Sequence, residues 1–252
     1  MTFEADERGA KKRDYWFTVI FTDPLATPLA SFLAKRRLLT PNQVTVLALV
    51  AGLSVGAFFA IARPWSLIVG GVMFYVAFVL DCTDGKLARA SGITSEKGQA
   101  LDALADGGRR ASATLGLGVA FWRAAEASVC LPNGVGWRHF EVDPLGPGPR
   151  FLCLGDPAPY VHGLIFVLVY AVLAYYFLEI SGAEKGDPAG GVRGKWSQAL
   201  AERRLLPTPG MPDVQAVVFI AGPITGYVVP ALYVGVAMVS VGIVLTVTRR
   251  LR

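Results

Sequence analysis

Long charge-free runs alternate with short charged segments along the chain. Val44 to Ala62 carries no charge over 19 residues, and Trp65 to Leu80 follows with only Arg63 and Pro64 between. That spacing predicts two antiparallel apolar helices joined by a tight turn. A bilayer core takes roughly 20 apolar residues of helix, so both read as membrane spans. Ala111 to Trp122 is apolar but short and reaches spanning length only if its helix begins upstream, near Gly98. His162 to Phe177 is a fourth run, and Val214 to Thr248 is 35 residues without a charge. As one helix the last would measure about 52 Å, far more than a core of about 30 Å, so two spans with a turn near Tyr227 to Pro230 are predicted. The expected fold class is an all-α integral membrane protein with six transmembrane helices.

Asp14 to Leu33 is apolar but interrupted by Asp23, Pro24 and Pro28, with Tyr15, Trp16 and Phe17 at one end. It predicts an N-terminal interfacial amphipathic helix on the inner leaflet; a seventh span would put Asp23 near mid-membrane. Met1 to Arg13 mixes both charge signs and has no signal-peptide pattern. The expected organisation is a cytoplasmic segment, 1–40, then a membrane domain, 41–252, with an outer loop at 123–159 and an inner loop at 181–212.

Composition agrees with this pattern. Of the 252 residues, 53% are hydrophobic and 17% charged, against about 25% charged in soluble domains. Mean hydropathy is +0.48 and formal net charge +5. Under the six-span topology Arg63, Arg123, Arg138 and Arg150 are the outer four of 24 lysines and arginines, and 20 lie inside. Positive residues gather on the cytoplasmic side of short loops. Both termini are therefore expected in the cytoplasm, in a multi-pass protein of the plasma membrane. Basic pairs that flank spans also argue against a nucleic-acid partner, which needs its cations on one face. Three cysteines make no disulfide framework, although Cys130 and Cys153 share the outer loop, where a bridge is possible chemistry.

The candidate chemistry lies between Asp81 and Asp106, where the spacing is D-x-x-D-G-x-x-A-R, eight residues, then G-x-x-x-D-x-x-x-D. On helices Asp81 and Asp84, and Asp102 and Asp106, each share a face. Side-by-side packing of the two helices would bring four carboxylates together, an arrangement that repulsion and desolvation oppose unless cations hold it. Hard oxygen donors without His or Cys partners favour Mg²⁺ or Mn²⁺ over zinc. Such arrays serve transfer at phosphorus. Gly85 and Ala88 leave a groove beside the first pair, Arg89 supplies a permanent cation for phosphate oxygens, and Gly98 permits close approach at the next helix.

The eight fixed positions resemble the signature of the CDP-alcohol phosphotransferase (phosphatidyltransferase) family, and Pro41-Asn42-Gln43-Val44-Thr45 is a second family-like feature. The resemblance implies transfer of a phosphatidyl or other substituted phosphoryl group from a CDP-linked donor to an alcohol, with release of CMP. It also implies a six-helix bundle, commonly a homodimer, with a cytoplasm-facing cavity and two metal ions. By this resemblance Asp81, Asp84 and Asp102 are metal ligands. Asp106 is the general base and borders the metals. Gly85, Ala88, Arg89 and Gly98 line the nucleotide site, joined by Asn42 and Thr45, for which capping of the first span is the alternative role.

CDP-diacylglycerol suits a site at the membrane boundary, and the reverse arrangement, a soluble CDP-alcohol donating to a lipid alcohol, is chemically equivalent. Relatives whose acceptor carries a phosphate often have Lys or Arg directly after the last Asp; here that residue is Gly107. Arg109, Arg110, Lys195 and Arg203 are the candidates for acceptor binding. The competing class is a cation channel or transporter, which would place acids near mid-membrane on several helices.

Overall fold

The structure, a computed structural model, describes residues 14–92, 95–126, 158–182, 200, 202–206, 208 and 210–251. Cys130, Cys153 and Lys195, most of the outer loop and much of the inner loop lie outside them.

The described chain is helical. After a π-helical turn, Thr18–Thr22, come α1 (Asp23–Arg36), α2 (Pro41–Ile61), α3 (Pro64–Ser91), α4 (Glu96–Glu126) and α5 (Ala158–Gly182). Then follow α6 (Met211–Gln215), a π-helical stretch Ala216–Ala221, α7 (Gly222–Thr225) and α8 (Val228–Arg250). Each predicted apolar run is found as helix, and the break in the last run falls at Gly226, whose φ is +81°. Pro41 and Pro64 stand in the first turns of α2 and α3, where the missing N–H has no helical partner to lose. Among the described residues, three helices are long and apolar enough to cross a membrane: α2, α3 and Val228–Thr248 of α8.

The bundle is organised by close contact of α2 with α4 and α3. A Cβ added at Gly56 would lie 2.3 Å from the Ser112 carbonyl oxygen, and one at Gly116 would lie 2.4 Å from that of Gly56. The two backbones therefore touch, and only glycine fits. Ser112 reinforces the crossing, its hydroxyl donating to the Leu53 carbonyl oxygen at 2.7 Å and accepting from Gly56 N–H at 3.1 Å. One apolar core joins Phe59, Phe74, Leu117, Phe121, Tyr170 and Phe219. A smaller cluster of Leu33, Val44 and Leu87 ties α1 to α2 and α3.

The N-terminal helix is docked rather than free. Buried Asp23 pairs with Lys86 of α3 at 2.7 Å and with Arg204 at 3.3 Å. Trp16 donates its indole N–H to the Leu206 carbonyl oxygen at 2.7 Å, and Phe17 N–H donates to Asp213 Oδ1 at 2.6 Å. Asp23, the residue that spoke against a seventh span, thus has its countercharges within the protein.

Replacing Gly56 with Val should separate α2 from α4 and lower stability by roughly 1–3 kcal/mol, the usual cost of forced overpacking. Thermal unfolding in detergent measures this, and an unchanged Tm would contradict the contact.

Candidate active site

The α2 N-terminus is built by its sequence. Thr40 is the N-cap and Gln43 completes a capping box, with Thr40 N–H donating to Gln43 Oε1 at 2.8 Å. Capping therefore falls to Thr40, which leaves Asn42 and Thr45 to other contacts. Thr45 is buried and donates its hydroxyl proton to Asp84 Oδ2 at 2.6 Å, tying α2 to the acidic end of α3. Asn42 lies against α4: a Cβ at Gly98 would come within 3.0 Å of its Oδ1.

α3 ends at Ser91 and α4 begins at Glu96. Gly92 ends α3 with φ +68°, a left-handed conformation that glycine adopts without strain. Ser95 then accepts from Gly98 N–H at 3.0 Å as the next helix starts. The result is a cavity of about 180 Å³ lined by Pro41, Asn42, Thr45, Asp84, Gly85, Ala88, Arg89, Ser95, Gly98, Gln99 and Asp102. It unites the six residues expected to line the nucleotide site with two of the four acids. Arg89 folds back over Gly85, where a Cβ would lie 3.3 Å from its Nη1, so the small residue makes room for the cation. Sequence reasoning missed Ser95 and Gln99, although a serine three residues before the helix-opening glycine is a capping signal.

Asp81 and Asp106 do not line this cavity; they meet at Arg109. Arg109 Nη2 donates to Asp106 Oδ1 at 2.5 Å and lies 3.7 Å from Asp81 Oδ2. Arg110 donates to the other Asp106 oxygen. Arg109 is 1% exposed, and its guanidinium lies 5.0 Å from the Phe78 ring centroid and 5.5 Å from that of Phe74. Of the other candidates for acceptor binding, Arg110 is half-buried beside Asp106, while Arg203 is exposed in a turn.

Among the described residues, no three His, Cys, Asp or Glu side chains close around a point as metal ligands. The donor chemistry nevertheless suits a hard divalent cation. Asp81 Oδ1 is buried without a hydrogen-bond partner, an atom whose burial costs stability until something satisfies it.

Residues 38–132 match the family described as CDP-alcohol phosphatidyltransferase. Over 66 residues, 26% of this chain, it is 38% identical to the bifunctional IPC transferase and DIPP synthase of Archaeoglobus fulgidus, of whose length that match spans 13%. The crystal structure of Mycobacterium tuberculosis phosphatidylinositol phosphate synthase with CDP-DAG bound superposes with a TM-score of 0.52 at 23% identity. The match covers 90% of this chain and 92% of that one, a likeness of fold.

Thr45→Val keeps the shape but removes the donor to a buried carboxylate. It should cost about 1–2 kcal/mol, read as a lower Tm in detergent, and no change would remove the Thr45 to Asp84 bond from the account.

Proposed function

Because residues 38–132 match the CDP-alcohol phosphatidyltransferase family, we propose that the chain belongs to it and transfers a phosphatidyl group from CDP-diacylglycerol to an alcohol in phospholipid synthesis. The observation that carries the reading is the cavity between the start of α2, the end of α3 and the start of α4. Eight residues singled out from the sequence meet there, although Asn42 and Asp102 are 60 positions apart. A relative in fold with bound CDP-DAG supports a CDP-linked lipid donor.

In this proposal the protein crosses the plasma membrane six times, with α1 on the inner leaflet and both termini and the cavity facing the cytoplasm. Residues 41–252 form the membrane domain, and the protein works as a homodimer. Asn42, Gly98, Gly85 and Ala88 admit the cytidine, the small residues leaving room for a flat ring, while Arg89 binds the diphosphate through its permanent charge. Asp81, Asp84, Asp102 and Asp106 would hold Mg²⁺ or Mn²⁺, which when bound polarises the diphosphate and offsets the charge of departing CMP. The acceptor oxygen bonds to the β-phosphorus, the bond from that phosphorus to the oxygen of CMP breaks, and the hydroxyl proton passes to a carboxylate oxygen of Asp106. Arg110, at the rim of the acids, and Arg203 and Lys195 are the candidates for orienting the acceptor.

Two variants separate these roles. Asp106→Asn should lower CMP release from CDP-diacylglycerol about 10²–10⁴-fold, the usual worth of a general base, while donor binding in Mn²⁺ persists. Asp81→Asn should weaken metal and donor binding together. The assay uses the detergent-purified full chain with serine, glycerol phosphate, inositol and inositol phosphate as acceptors. Strong residual turnover in Asp106→Asn would remove it from the base role. Wild-type silence with CDP-diacylglycerol, beside activity with a soluble CDP-alcohol and diacylglycerol, would reverse donor and acceptor.

A further inference from the structure

Arg109 is the largest fully buried side chain in the described structure, and it stands outside the eight-position pattern. Its surroundings are unusual for a cation with only a packing role. Nη2 binds Asp106 closely but reaches Asp81 only at 3.7 Å. Its own Nε is buried without a hydrogen-bond partner, and so is Asp81 Oδ1. A buried ionic network left half-satisfied is costlier than either a complete one or an apolar replacement. While it binds Asp106, the guanidinium already lies against the rings of Phe78 and Phe74, where a cation retains attraction without a carboxylate partner. Its stem is fixed, since α2 passes so near that a Cβ at Gly52 would lie 2.9 Å from Arg109 Cβ.

We propose that Arg109 is an internal countercation that holds Asp81 and Asp106 in the metal-free protein and competes with divalent metal for the same carboxylates. When the acids take up metal, Arg109 releases Asp106 and stays against Phe78 and Phe74, which already flank its guanidinium. The exchange accounts for the occupation of both Asp106 oxygens by guanidinium groups. Arg109 is thus a positioning residue rather than an acceptor-binding one. The inference rests on the proposed reading of the acids as metal holders.

The test is a titration of the detergent-purified full chain with Mn²⁺ alone, free Mn²⁺ being followed by electron paramagnetic resonance. Arg109→Met keeps length and removes the charge. It should bind Mn²⁺ about 10-fold more tightly than wild type, the scale of a typical coupling between competing ligands. It should also melt at lower temperature without metal and recover most of that loss at saturating Mn²⁺. Unchanged or weaker Mn²⁺ binding in folded Arg109→Met would overturn the proposal, because loss of packing alone does not tighten a metal site. Should Arg109→Met not fold, Arg109→Lys decides. It retains the charge but loses the fork, so a smaller shift in the same direction is expected, and wild-type affinity would count against the exchange. If wild type binds no Mn²⁺, the metal reading of the acids fails first, and this inference falls with it.

Discussion

The contact of α2 with α4 through glycine is the constraint on which the site depends. Lipid gives two apolar helices little reason to associate, so association must come from close packing and from hydrogen bonds between helices. Here Gly56 and Gly116 allow backbone contact and Ser112 bridges it. Once that crossing is fixed, the start of α2 stands beside the start of α4, and Asn42 faces Gly98. The same crossing fixes the stem of Arg109 against Gly52. The long-range geometry of the site follows from small residues two and more turns away from it.

The second constraint is electrostatic. Charges buried in the bundle need partners, and the described structure supplies them in two separate groups. Lys86 lies inside the acidic pattern by sequence yet points away from it, to Asp23, where Arg204 also arrives. That group anchors α1 and the segment around residue 205, whose backbone pairs with Asp14. The other group is Asp81, Asp106, Arg109 and Arg110. Segregating Lys86 from the acids leaves Arg89 as the cation that lines the cavity with Asp84 and Asp102.

The positions of the helices were legible because apolar runs of spanning length, punctuated by Pro and Gly, encode them locally. The cavity-lining residues were legible because the acidic pattern has helical spacing, and Asp84 and Asp102 bring one residue of each half to the cavity. What stayed hidden depends on contacts between distant segments. Asn42 and Thr45 had capping as an alternative, and only the capping box at Thr40 shows which residue performs it. Arg109 looked from sequence like one more basic residue after the last acid. Its burial between two phenylalanines of α3 depends on which face of α4 turns inward and on the space at Gly52. Asp23 likewise gave a sign against crossing the membrane, but its two partners lie 63 and 181 residues away.

These elements combine into one account: glycine contact aligns two helix starts, a hydroxyl and a capping box position the first, and Asp84, Asp102 and Arg89 face the resulting cavity. Its central claim is that the cavity receives the cytidine diphosphate of a lipid donor. The most direct measurement is an experimental structure of the full chain with CDP-diacylglycerol and Mn²⁺, using anomalous scattering to locate the metal. The account predicts cytosine between Asn42 and Gly98, diphosphate beside Arg89, and Mn²⁺ held by Asp81, Asp84 and Asp102. Nucleotide bound elsewhere, or Mn²⁺ away from these carboxylates, would contradict it.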